Sequence, residues 1–113
     1  MEGYFVLDEH GEPLEERDFA AWTRWFEQAD RSIARTVVTP EVTVLTTFSG
    51  VDQSTQGQPP RLFETRVFGG VLDSEELRHS TKSEALAAHS ALAEWCRIGA
   101  SPNSGVTESD ILQ

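Results

Sequence analysis

The sequence predicts an α+β fold, in which an antiparallel sheet of about four strands carries two helices packed on one face, in the chain order β-α-β-β-β-α. Residues 42–71 contain two β-prone runs on either side of a polar connection with Gly and Pro, which is typical of neighbouring antiparallel strands. Two other segments place apolar residues at three- and four-residue spacing, which is typical of amphipathic helices.

The first predicted strand is the short β-prone run Tyr4–Leu7, which ends in a turn containing Gly11 and Pro13. Asp18 is predicted to cap the first helix, because its carboxylate can accept hydrogen bonds from the free N–H groups of a first helical turn. The helix that follows has one apolar stripe with polar residues opposite. The members of that stripe are Phe19, Trp22, Phe26 and Ala29, with Trp25 at its edge.

The next two strands are predicted to form a hairpin. Ser32–Val38 and Val42–Phe48 are rich in β-branched residues, and Thr39–Glu41 supplies a turn between them. Gly50–Pro60 is predicted to be a loop, and Arg61–Phe68 the fourth strand. The Gly-Gly pair that follows permits a bend or bulge where a side chain would obstruct the chain.

The second helix is predicted from a capping box, in which Thr81 and Glu84 each satisfy a backbone N–H at the helix start. Gly99 is predicted to end it. Its apolar stripe consists of Ala85, Ala88, His89, Leu92 and Cys96. Residues 1–98 are therefore predicted to form a single domain, and residues 99–113, which are polar and small, a flexible C-terminal tail.

Composition disfavours several classes of function. The chain has 19 acidic and 9 basic residues for a net charge of −10, so it repels phosphate backbones and nucleic acid is a disfavoured partner. No run approaches the roughly 20 apolar residues that a membrane span needs. The single cysteine, Cys96, cannot form an internal disulfide, which suits a reducing compartment. We expect a soluble, cytoplasmic protein with no membrane association.

The best candidate site is a polar surface on the predicted sheet. Glu64 and Arg66 alternate with apolar neighbours, so both charges point to the same face of their strand. Arg35, two strands away, could join them, and the two arginines could bind a carboxylate or phosphate. The alternative is a solvated face whose charges pair across strands, which stabilises the sheet by a few tenths of a kcal/mol.

His89 is the other candidate, because it lies on the apolar stripe of the second helix near Cys96. It could be a buried acid/base group or a metal ligand, or a core histidine that donates one hydrogen bond to a carbonyl or carboxylate. Without a second cysteine or a nearby histidine, the core interpretation is favoured. The sequence also lacks the glycine-rich phosphate loop, the G-x-S-x-G elbow and the H-E-x-x-H motif. We therefore expect no metal and no cofactor, and assign no catalytic residue.

The run F-E-T-R-V-F-G-G at residues 63–70 resembles a group of small uncharacterised proteins of actinobacteria and their bacteriophages. The resemblance extends over roughly residues 4–92. It implies a phage or mobile-element context in a bacterial host cell, and it implies no activity. The chain departs from the group's pattern at Ser49 and Arg66, where apolar residues are expected, and at Gln53, where a histidine is expected.

Three functional hypotheses remain open. The first is an accessory protein that acts by binding a protein partner, with self-association into a homodimer through the exposed sheet face or a sheet edge. The second is an oligomeric binder that sequesters a small anionic ligand such as a nucleotide, using Arg66 and Arg35. The third, which we favour least, is an enzyme with Glu64 or His89 as its acid/base group.

Overall fold

The α+β class is confirmed by the structure, a computed structural model that describes residues 3–52, 54 and 57–99. The predicted C-terminal tail lies outside the described residues except for Gly99, which is the last residue of the second helix rather than the residue that follows it. The elements in chain order are β1 (Phe5–Leu7), β2 (Pro13–Glu15), α1 (Phe19–Gln28), β3 (Ser32–Thr39), β4 (Val42–Phe48), β5 (Phe63–Phe68), β6 (Glu76–His79) and α2 (Lys82–Gly99).

The main sheet has four antiparallel strands in the order β3-β4-β5-β6, and α2 packs across one of its faces. The predicted hairpin is its β3-β4 pair, and the predicted fourth strand is β5. The sheet gains β6 in place of the N-terminal strand. Because β6 is only four residues long, its alternation of charged residues with Leu77 and His79 was too short to indicate a strand.

The N-terminal strand belongs to a separate two-stranded sheet, in which β1 pairs with β2. The turn between them is stabilised by Asp8, whose carboxylate accepts hydrogen bonds from the backbone N–H groups of His10 and Glu12. This hairpin is joined to the end of β4, because the Phe5 N–H donates to the Gly50 carbonyl at 2.8 Å. The observed order is therefore β-β-α-β-β-β-β-α, with two strands more than predicted.

Local signals in the sequence position both helices as predicted. The Asp18 carboxylate accepts hydrogen bonds from Ala20 N–H at 3.0 Å and Ala21 N–H at 3.3 Å at the start of α1. At the start of α2, the Thr81 hydroxyl accepts from Glu84 N–H and a Glu84 carboxylate oxygen accepts from Thr81 N–H, both at 3.1 Å. The capping box is therefore confirmed.

The core lies between α2 and the sheet. The α2 stripe buries Ala85, His89, Leu92 and Cys96 against the sheet. The buried sheet residues are Val42, Val44, Thr46 and Phe48 of β4 and Phe63, Thr65 and Val67 of β5. The first helix reaches the same face at one end, where the Trp25 ring packs edge-on against Phe48. Its Trp22 indole N–H donates at 3.0 Å to the carbonyls of Phe5 and Gly50, which ties α1 to the N-terminal hairpin.

The predicted bend after β5 occurs at Gly69-Gly70. Gly69 has a φ of 86°, and a Cβ atom placed there would lie 1.8 Å from the carbonyl oxygen of Glu41. A side chain at this position would therefore collide with the β3-β4 turn as well as strain the backbone. None of the described helices is both long and apolar enough to cross a membrane.

Candidate functional site

The face of the main sheet opposite α2 is not covered by any described helix or strand, and we call it the open face. Strand register assigns its residues, because side chains alternate between the two faces and paired residues share a face. The open face consists of Ser32, Arg35 and Val37 on β3, Thr43, Leu45 and Thr47 on β4, Glu64, Arg66 and Phe68 on β5, and Glu76 and Arg78 on β6.

Four of these residues form a continuous set of ion pairs, which we call the ion ladder. The Arg66 guanidinium lies 3.1 Å from the Glu64 carboxylate and 2.5 Å from that of Glu76, and Arg78 pairs with the other oxygen of Glu76. The register explains this arrangement, because Glu64 stands opposite Arg78 and Arg66 opposite Glu76. The two positive and two negative charges cancel within the ladder.

The ladder changes the protonation of its members. The hydrogen bond from Arg66 holds the pKa of the Glu76 carboxyl below its ordinary value of 4.5. The same hydrogen bond raises the pKa of the Arg66 guanidinium. Both groups are therefore charged at neutral pH, and Arg66 already has two carboxylate partners.

The structure brings together two of the three predicted site residues. Glu64 and Arg66 are in contact, whereas Arg35 lies two strands away in the same cross-strand row, with Leu45 between it and Arg66. Arg35 is exposed, and none of the ion pairs among the described residues includes it. Sequence reasoning missed Glu76 and Arg78 because it did not predict β6, although their two-residue spacing is the strand signal that could have found them.

The open face also carries exposed apolar side chains. Val37, Thr43 and Phe68 form one cross-strand row, in which Val37 is 54% exposed and Phe68 46% exposed. Val71, which lies in the turn after β5 and is not part of the open face as defined by strand register, is 90% exposed. Exposed apolar residues are ordinary when single, whereas apolar patches with a polar rim mark interaction surfaces.

His89 lies on the opposite, covered face and is 5% exposed. Its Nδ1 is 2.9 Å from the Thr46 hydroxyl and its Nε2 is 2.8 Å from the Thr36 hydroxyl, and Thr46 is in turn 2.6 Å from the Thr65 hydroxyl. Burial lowers the pKa of the imidazole, so the ring is neutral at pH 7. One ring nitrogen then donates and the other accepts, and both are satisfied.

These contacts support the core interpretation of His89 and correct one detail of it, since its partners are threonine hydroxyls rather than a carbonyl or carboxylate. Burial also raises the pKa of the Cys96 thiol, which disfavours the reactive thiolate. Glu64 and His89 lie on opposite faces of the sheet, so they cannot act as an acid/base pair. Within the described ranges, no group of three or more His, Cys, Asp or Glu side chains could hold a metal ion.

His79 is a half-buried histidine on the main sheet. It is the last residue of β6, opposite Phe63 on the covered face. Its Nε2 is buried and has no hydrogen-bond partner among the described residues. Burial is the main cause of a lowered pKa for this imidazole.

Comparison with known proteins adds no functional assignment. No protein-family model, curated protein or solved structure matches the chain.

Proposed function

We propose that the chain is an accessory protein that binds a protein partner on the open face of its main sheet. The observation that carries this proposal is the apolar row containing Val37 and Phe68, which lies uncovered beside the ion ladder. An apolar row offers contact area, and the charges that border it cost less to bury than unpaired charges would, because each keeps its partner when water leaves.

Charge defines the partner's chemistry. The open face carries three arginines and two glutamates, whereas the whole chain has a net charge of −10. It is therefore a slightly positive surface on an acidic protein. Arg35 is its one cation outside the ion pairs of the described residues. We infer a partner with an apolar patch that covers Phe68 and Val37 and a carboxylate that reaches Arg35.

The resemblance of residues 63–70 supports a phage- or mobile-element-associated role for this binding, in a bacterial host cell. The hypothesis that the chain sequesters a small anion stays a prediction. The ion ladder makes it weaker than the hypothesis of a protein partner. A phosphate bound by Arg66 would have to displace Glu64 and Glu76 or approach beside two carboxylates. A pocket shared between two copies would need Arg35 to supply most of the positive charge.

The test is affinity capture from an actinobacterial lysate with the unmodified chain, Phe68→Ser and Val71→Ser. Both variants replace an exposed apolar residue, and only Phe68 lies on the open face. Each captured protein is then purified and titrated against the three chains. The proposal expects a partner whose Kd rises at least about tenfold for Phe68→Ser and changes less than about twofold for Val71→Ser. Adding Arg35→Glu to Phe68→Ser should weaken the binding of the same partner further.

Two outcomes would contradict the proposal. A partner that binds Phe68→Ser as tightly as the unmodified chain does not use the open face. A thermal shift with nucleotides that Arg66→Ala abolishes, without any captured partner, would favour the anion-binding alternative instead.

A further inference from the structure

The outer edge of β3 is a second surface available for association. β3 is eight residues long and forms one edge of the main sheet, whereas β6 at the other edge has four residues. No described strand pairs with the outer side of β3. A long edge strand presents a row of free N–H and C=O groups and is a template for another strand.

The hydrogen-bonding pattern identifies which backbone groups are free. The Ser49 N–H donates to the Leu62 carbonyl at 2.7 Å, so the odd-numbered residues of β4 point their backbone groups to β5. The even-numbered residues of β4 then point to β3, where Val44 is opposite Thr36. Residues alternate in the same way along β3, so the N–H and C=O groups of Arg35 and Val37 point outward.

An open groove lies beside this edge, between β3 and the flank of α2. Its volume is about 360 Å³, and its lining includes Thr36, Val38, Ser90, Ala93 and Glu94. It lies on the covered side of the sheet. A strand added to β3 would direct alternate side chains into this groove, and residues with small side chains would fit there.

We propose that the added strand is β3 of a second copy of the chain, paired antiparallel about a two-fold axis at Thr36, so that Arg35 stands opposite Val37 of the second copy. In this register, Arg35 of each copy pairs with Val37 of the other, so all of the outward-pointing backbone groups of these two residues find partners. It also lays the aliphatic part of Arg35 over Val37, which is 54% exposed in one copy. Ala34, Thr36 and Val38 of the second copy would lie beside the groove, while Thr36 and Val38 keep their contacts with their own α2.

Charge supports a second copy as the occupant. β3 contains no carboxylate in a chain with net charge −10, so its edge is where two such chains can meet with little repulsion. A register with Arg35 opposite itself would place like charges together, which destabilises a strand pair. One centred on Val37 would place Arg35 opposite Thr39, beyond the register shift between Val37 and Thr39.

The irregular pairing at both ends of β3 confines the hydrogen bonds between the two copies to the middle of the strand. Because such an interface is small, we infer a reversible dimer with a dissociation constant in the micromolar range or weaker. The result would be an eight-stranded sheet. The inference goes beyond the proposed function, because it uses the backbone of the sheet edge. The dimer would cover the Arg35 and Val37 side chains and leave Phe68 and the ion ladder of the open face available. The failure of either would not decide the other.

Directed disulfide formation tests the register. Arg35→Cys and Val37→Cys are each made in a Cys96→Ala background, and oxidation is followed for each protein alone and for an equimolar mixture. Hydrogen-bonded antiparallel pairs have Cα atoms about 5.5 Å apart, which a disulfide spans. The mixed disulfide should form at least about tenfold faster than either homodisulfide, while Arg78→Cys on the opposite edge reports random collisions. Faster formation of the Arg35→Cys homodisulfide, or equal rates for all pairs, would overturn the proposed axis.

A second test measures the self-association of the unmodified chain. Sedimentation equilibrium should show a monomer–dimer equilibrium, and Val37→Pro should weaken it at least about tenfold, because proline removes an outward N–H from each copy. The circular dichroism spectrum and melting temperature of Val37→Pro show whether the monomer is intact. A monomer at all concentrations up to the millimolar range would overturn the inference, and so would a dimer that an intact Val37→Pro leaves unchanged.

Discussion

The covered face and the open face of the main sheet come from the same strands but satisfy their polar groups differently. On the covered face, Thr46 and Thr65 are fully buried, and their hydroxyls are satisfied by each other and by His89. On the open face, the charges of Arg66 and Glu76 are satisfied by ion pairs that remain partly exposed to water. A buried hydroxyl without a partner is costly, whereas a surface charge loses little when its partner is removed. The two faces should therefore respond very differently to mutation.

The largest difference is expected for the phenylalanines at the two ends of β5. Phe63 is 1% exposed and packs against Phe48 on the covered face, whereas Phe68 is 46% exposed on the open face. Phe63→Ala should lower the free energy of unfolding by about 3–5 kcal/mol, because it removes buried area and leaves a cavity. Phe68→Ala should lower it by less than about 1 kcal/mol. Urea unfolding measures both, and equal losses would mean that the open face is covered in solution.

The next largest effect is expected at His89. His89→Leu leaves the Thr36 hydroxyl without its partner, while Thr46 keeps Thr65, so we expect a loss of about 1–3 kcal/mol. Ser90→Ala, at the next and exposed position, should change stability by less than about 0.5 kcal/mol. Thr36→Val added to His89→Leu should cost less than the two separate losses together, since the shared hydrogen bond is already absent. A stabilising His89→Leu would contradict the network.

The predictable parts of the fold were those with local signals. Asp18 and the Thr81–Glu84 pair capped the helices as expected, because a cap depends on three or four consecutive residues. The placement of Glu64 and Arg66 on one face of β5 was predictable as well, because alternation along a strand also depends on only a few consecutive residues. The pairing of β1 with β2 was not predictable, because nothing in Pro13–Glu15 distinguishes a strand from the rest of a turn.

The candidate site was less predictable, because its partners come from distant segments. Glu76 lies ten residues from Arg66 along the chain, in a strand too short for its alternation to stand out. Threonine suits either face of a strand, so the position of Thr46 on the covered face did not follow from its identity. The hydroxyls of Thr36 and Thr46 find their partner His89 only because α2 packs across β3 and β4, and the sequence does not show which threonines this packing brings to His89.

A smaller effect on the covered face is its dependence on pH. Burial lowers the folded-state pKa of both His89 and His79 below the ordinary value of 6.5, so the unfolded chain binds protons that the folded chain does not. The stability due to neutral imidazoles is therefore complete above about pH 6.5 and is lost as the pH falls below it.

Urea unfolding between pH 7.5 and 5.5 should show this decline, since the carboxylates with lowered pKa values titrate at lower pH. His79→Phe should reduce the slope and remove a buried nitrogen that lacks a partner. Ser90→Ala, which removes no titratable group from an exposed position of α2, should leave the slope unchanged. A flat profile for the unmodified chain would mean that both imidazoles accept protons without unfolding.

The smallest effect is expected on the open face, at the centre of the ion ladder. Arg66→Ala removes two ion pairs, yet the stability loss should be no more than about 1 kcal/mol, because the arginine is 45% exposed. Its signature should be the salt dependence. Without Arg66, Glu64 and Glu76 repel each other, so added salt should stabilise the variant relative to the unmodified chain.

The acid limb of the pH profile should change as well. Arg66 lowers the pKa of Glu76, a contribution that is present above about pH 4.5 and lost as the pH falls through the folded-state value, so the variant should be less sensitive to acid in that range. Arg35→Ala, on the same face and outside the ladder, should change neither dependence. If Arg66→Ala instead lowers stability as much as Phe63→Ala, the ladder is buried in solution, and the open face is then an interface of the native protein rather than a surface that awaits a partner.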